Sequence, residues 1–69
     1  MLVSTYYVKD SRARAEVCVE MEDDINEYSV NYFNTEGGLI KSRSFKGKSV
    51  HFAESAAENW VLTQEIILG

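Results

Sequence analysis

The 69-residue sequence predicts an α+β domain: an antiparallel three- to four-stranded meander with one C-terminal helix packed on one face. Three observations carry this. Ala13 to Glu22 alternates apolar and polar residues, the period of a half-buried strand. Turn-forming clusters at 23–26 and 35–38 divide the following residues into strand-length pieces. Only Ser49 to Leu68 forms a long stretch whose apolar residues recur every three or four positions, as on a helix.

Leu2 to Val8 is rich in β-branched and aromatic residues and reads as the first strand. Lys9 to Arg12 is polar and suits a turn. In the second strand Ala13, Ala15, Val17, Val19 and Met21 face inward; Arg14, Glu16, Cys18, Glu20 and Glu22 face outward. Residues 23–26 are the next turn. Glu27 to Asn34 alternates again, with Tyr28, Val30 and Tyr32 inward and Ser29, Asn31 and Phe33 outward. Thr35-Glu36-Gly37-Gly38 is a hairpin turn whose glycines accept positive φ. Leu39 to Phe45 is the fourth strand, its inward face open between Ile40 and the pair Leu39 and Phe45.

The helix is expected to take Ser49 as N-cap. Ser55 with Glu58 has capping-box spacing and would start it later, but the apolar stripe already includes Phe52 and Ala53. Ala53, Ala56 and Ala57 permit close approach to a sheet, and Phe52 and Trp60 are the large anchors. Thr63, Ile66 and Ile67 weaken helix propensity, which leaves residues 64–69 open between helix and extended tail.

This length makes one domain, 1–69, with a small core. One cysteine excludes an intrachain disulfide, and no Cys/His set suits a structural zinc. No run approaches membrane-spanning length and no apolar signal core opens the chain, so a soluble cytoplasmic protein is expected. The net charge of −4 is unevenly placed. Residues 1–38 hold three bases and eight acids, 39–48 four bases and no acid, and 49–69 three acids and no base. The acidic total argues against bulk affinity for nucleic acid or anionic membrane.

Several constellations invite chemistry. Cys18 lies near glutamates that disfavour a thiolate, and reads as an ordinary free cysteine. His51 is the only histidine; a Cys18–His51 dyad would lack any marked oxyanion hole or cleft. Glu20, Glu22, Asp23, Asp24 and Glu27 lack the spacing of a calcium loop and read as a solvated hairpin tip. Neither cofactor nor metal is expected, nor is enzymatic activity.

The basic strip Lys41, Arg43, Lys46, Lys48 runs into FKGKSVHFAESAAENWV, which resembles the strand-to-helix step of AP2-type and integrase arm-binding domains. That likeness implies a sheet that enters the major groove. Against it, Glu16, Glu20 and Glu22 line the expected open face and would repel phosphates. Separately, YYV at Tyr6–Val8, ARAEV at Ala13–Val17, FKGKSV at Phe45–Val50 and AAENWV at Ala56–Val61 resemble small uncharacterised proteins of marine cyanobacterial viruses (cyanophages). The resemblance implies a viral protein acting in a host cytoplasm, and it carries no activity.

The expected function is a non-enzymatic protein–protein interaction module, binding a host protein or a second copy of itself as a homodimer. Phe33, Asn31, Lys41 and Arg43 are the candidate contact residues, with Lys41 and Arg43 expected beside the other two on the open sheet face. The alternative is a small nucleic-acid-binding domain that uses the sheet and the strip 41–48.

Overall fold

The computed structural model describes residues 1–66. Strands β1 (Leu2–Tyr7), β2 (Arg14–Glu22), β3 (Ile25–Phe33) and β4 (Leu39–Phe45) are followed by helix α1 (Val50–Thr63). The strands form one antiparallel sheet in the order β1-β2-β3-β4, the expected meander with one helix packed on it.

Each connection has a local cause. Ser11 Oγ accepts from the Ala13 amide at 3.0 Å, closing the β1–β2 loop, in which Asp10 takes a φ of 59°. The β2–β3 connection is tighter than the four-residue turn expected. Asp23 and Asp24 both adopt positive φ, 51° and 62°, which matches the right-handed twist of a two-residue hairpin and starts β3 at Ile25. Asn34 Oδ1 accepts from the Glu36 and Gly38 amides, each at 2.9 Å, and Gly37 supplies a φ of 84°.

Ser49 caps α1, its Oγ accepting from the Phe52 amide at 3.3 Å. The helix ends at Thr63. Gln64 takes the left-handed conformation (φ 64°) and its amide donates to the Trp60 carbonyl at 2.7 Å. Residues 64–66 are therefore outside the helix, and the expectation for 67–69 lies outside the described residues.

The core lies between α1 and the sheet. Ala15, Val17, Val30, Tyr32 and Phe45 meet Ala53, Ala56, Ala57 and Trp60, all buried. The three alanines bring the helix close enough for Trp60 to tilt onto Tyr32, with centroids 5.1 Å apart, and for Phe52 to meet Phe45 edge-on at 5.3 Å. The molecule is 39 Å long, whereas a helix of this length spans about 21 Å. The tip of the β2–β3 hairpin therefore extends past the helix, leaving Met21 exposed on the helix side.

Candidate interaction surfaces

Residues directly opposite one another on neighbouring antiparallel strands point to the same face. The pairing registers therefore sort the side chains. On the face away from the helix, Tyr7 opposes Arg14, Arg14 opposes Phe33, and Phe33 opposes Leu39. These four residues form an unbroken row across every strand of the sheet. Tyr7 is 63% exposed and Leu39 59%, while Phe33 is half-buried. The Arg14 guanidinium lies over the Phe33 ring, 4.1 Å from its centroid, and its Nε donates to Glu16 Oε2 at 2.8 Å. Arg14 is thus fixed by one aromatic ring and one carboxylate.

The next row holds Thr5, Glu16, Asn31 and Ser42. Asn31 is tied on both sides: its Oδ1 accepts from Ser42 Oγ, and its Nδ2 donates to Cys18 Sγ at 3.7 Å. Further along, Glu20 opposes Glu27, whose Oε1 accepts from Ser44 Oγ at 2.7 Å. This outer face therefore runs from an aromatic end to an acidic end. Arg14 is the only base that the registers place on it, and Glu16 already engages that base.

Of the four candidate contact residues, Phe33 and Asn31 lie on this face as expected. Lys41 and Arg43 do not. Lys41 opposes Tyr32 and Arg43 opposes Val30, so both point to the helix side. The cause is Phe45: its ring fills the core, and alternation back along the strand places 43 and 41 on the same side. A bulge between Leu39 and Lys41 then returns Leu39 to the outer face. This settles the open inward face of β4 in favour of Phe45 without Leu39.

Charges tolerate the helix side of β4 because α1 lies over β1, β2 and β3 and reaches β4 through the Phe52–Phe45 contact. Among the described residues no carboxylate comes within 4 Å of Lys41, Arg43, Lys46 or Lys48. Arg43 Nε is buried without a hydrogen-bond partner, and so is Tyr32 Oη. Burial raises the Tyr32 phenol above its ordinary pKa, with the Arg43 charge opposing the shift.

Cys18 is on the outer face, whereas His51 is exposed on the helix, 3.7 Å from Glu54 Oε1, so the sheet separates them. Among the described residues no three His, Cys, Asp or Glu side chains converge on a metal position, and no helix is long and apolar enough to cross a membrane. A shallow apolar hollow beyond the helix N-terminus is lined by Val3, Val19, Met21, Tyr28 and Val50.

Sequence reasoning left Tyr7, Arg14 and Leu39 out of the candidate set. Tyr7 was legible as an outward residue once Tyr6 faces the helix. Leu39 was not, because the bulge that turns it outward has no marker in the sequence. No family model matches this chain, and neither a curated protein nor a solved structure is detectably similar to it.

Proposed function

We propose that this protein is a non-enzymatic protein-interaction module whose contact surface is the aromatic end of the outer sheet face. The observation that carries the reading is the row Tyr7–Arg14–Phe33–Leu39, which crosses all four strands in register. Tyrosine and arginine are the residue types that dominate binding energy at protein interfaces, and large aromatics enrich their centres. Arg14 and Phe33 already hold each other, so little of their side-chain entropy is lost on binding. Glu16 and Asn31 flank the row as polar neighbours that would complete a hydrophilic rim.

The same face supports a protein partner better than a nucleic acid. Glu20, Glu22 and Glu27 lie on it, and its one base is already neutralised by Glu16. The test is capture from lysate with the wild-type protein and Phe33→Asp side by side, with solution mass followed by light scattering on dilution. A partner, or a second copy, held by the wild type and lost from the folded variant supports the reading. Identical capture profiles and identical masses overturn it.

A further inference from the structure

A second surface, independent of the outer face, is the free edge of β4. An edge strand presents unpaired backbone N–H and C=O groups to which a further strand can bond. The chain has two such edges, and they differ. β1 carries no charged residue. β4 carries Lys41 and Arg43 two residues apart on the helix side, with Ser42 and Ser44 on the other. Lys46 and Lys48 extend the positive strip beyond the strand.

We propose that β4 takes up an extended acidic segment of a partner protein as a fifth strand, with carboxylates at alternate positions facing Lys41 and Arg43. Residues i and i+2 of an added strand share a face and repeat at the spacing of these two cations. Both cations lie where α1 leaves the sheet uncovered, and neither has a carboxylate within 4 Å among the described residues. Among the described residues the Arg43 guanidinium pairs with no carboxylate, and its terminal nitrogens can donate to an incoming one. Ser42 and Ser44 suit hydroxyl-bearing or small residues at the intervening positions.

A second copy is a poor occupant. Antiparallel pairing of β4 with itself about Ser42 sets Lys41 against the copy's Arg43 and Arg43 against its Lys41, and like charges placed opposite are destabilising. The chain's most acidic strand, β2, is already paired on both edges. The edge therefore rejects its own copy while it attracts an acidic strand, a difference that rests on repulsion as well as attraction.

The test uses a capped peptide of four Glu-Thr repeats, titrated into the full chain at low salt while backbone amide resonances are followed. The proposal expects shifts concentrated on Leu39–Phe45, binding that weakens with salt, and weaker binding of a block peptide with the glutamates and threonines segregated. Lys41→Gln with Arg43→Gln, which keeps both aliphatic stems, is expected to lower affinity by about tenfold or more. A circular dichroism spectrum establishes that this variant is folded, and Lys41→Gln alone, at an exposed position, gives a smaller loss in the same direction. Absence of binding at low salt, shifts centred on β1 or the outer face, or undiminished binding by the folded variants would overturn the proposal. So would tighter binding of single-stranded oligothymidylate than of the peptide, which would make the strip a phosphate reader.

Discussion

The Arg14 guanidinium lies over the Phe33 ring at 4.1 Å while its Nε donates to Glu16. Phe33 is thereby half-covered without being part of the core, and Arg14 is held between the ring and the Glu16 carboxylate. Phe33→Asp removes the ring from the outer face only. It is expected to cost about 1 kcal/mol or less of stability, in keeping with substitutions outside a core, and to abolish partner or self association. Urea denaturation followed by Trp60 fluorescence checks the first part, and light scattering with capture checks the second.

Trp60 and the three helix alanines define how α1 docks. Trp60→Ala removes the largest residue of the core and is expected to cost about 3–5 kcal/mol. A domain of this size has roughly 3–10 kcal/mol in total, so the variant should be largely unfolded at 37 °C. Ala57→Leu forces the helix away from the sheet and should cost about 1–3 kcal/mol. Thermal melts by circular dichroism measure both, and an unchanged midpoint for Trp60→Ala would contradict this account of the core.

Tyr32 packs its ring against Trp60 but leaves Oη without a partner. Tyr32→Phe is therefore expected to be neutral or stabilising by up to about 2 kcal/mol. The pH dependence follows from the raised pKa of this phenol. A pKa higher in the folded than in the unfolded state gives a contribution present below the unfolded value, near 10, and lost as pH rises through the folded value. The wild type should lose stability relative to Tyr32→Phe above about pH 10. Parallel denaturation curves from pH 8 to 11 read the difference, and a constant gap between the two proteins would count against it.

Glu20 and Glu27 face each other across the β2–β3 pair, a like-charge juxtaposition that ordinary sheet energetics disfavour. Glu20→Lys should stabilise by about 0.2–1 kcal/mol, with the gain shrinking at high salt. Chemical denaturation at two ionic strengths measures it. A loss of stability would mean that Glu20 makes a contribution that its pairing does not reveal.

Most of the fold was legible because two strands carry strict alternation. Ala13 to Met21 and Tyr28 to Phe33 each assign one face to the core, and a slip of one residue would expose every apolar side chain. Ser49 was legible as a cap because the apolar stripe begins three residues after it. The misassigned faces have specific physical origins. Lys41 and Arg43 were expected outward because charge belongs in solvent, yet the helix side of β4 leaves Lys41 exposed and Arg43 half-buried. Asp23-Asp24 was read as part of a longer turn because positive φ at two successive aspartates is not evident from composition. Gln64 ends the helix with a left-handed cap usually given to glycine, so nothing in the sequence marked the stop. Of the outer row, Phe33 was readable by alternation alone, whereas its alignment with Leu39 depended on the bulge in β4.

The most direct test of the outer-face account is position-specific photocrosslinking. A photoreactive phenylalanine analogue is placed at Tyr7, within the aromatic row, and separately at Leu62, which is 76% exposed on the helix. The account predicts a discrete crosslinked product, to a partner from lysate or to a second copy, from position 7 and none of comparable yield from position 62. A product from position 62 alone, or equal diffuse labelling from both, would contradict it.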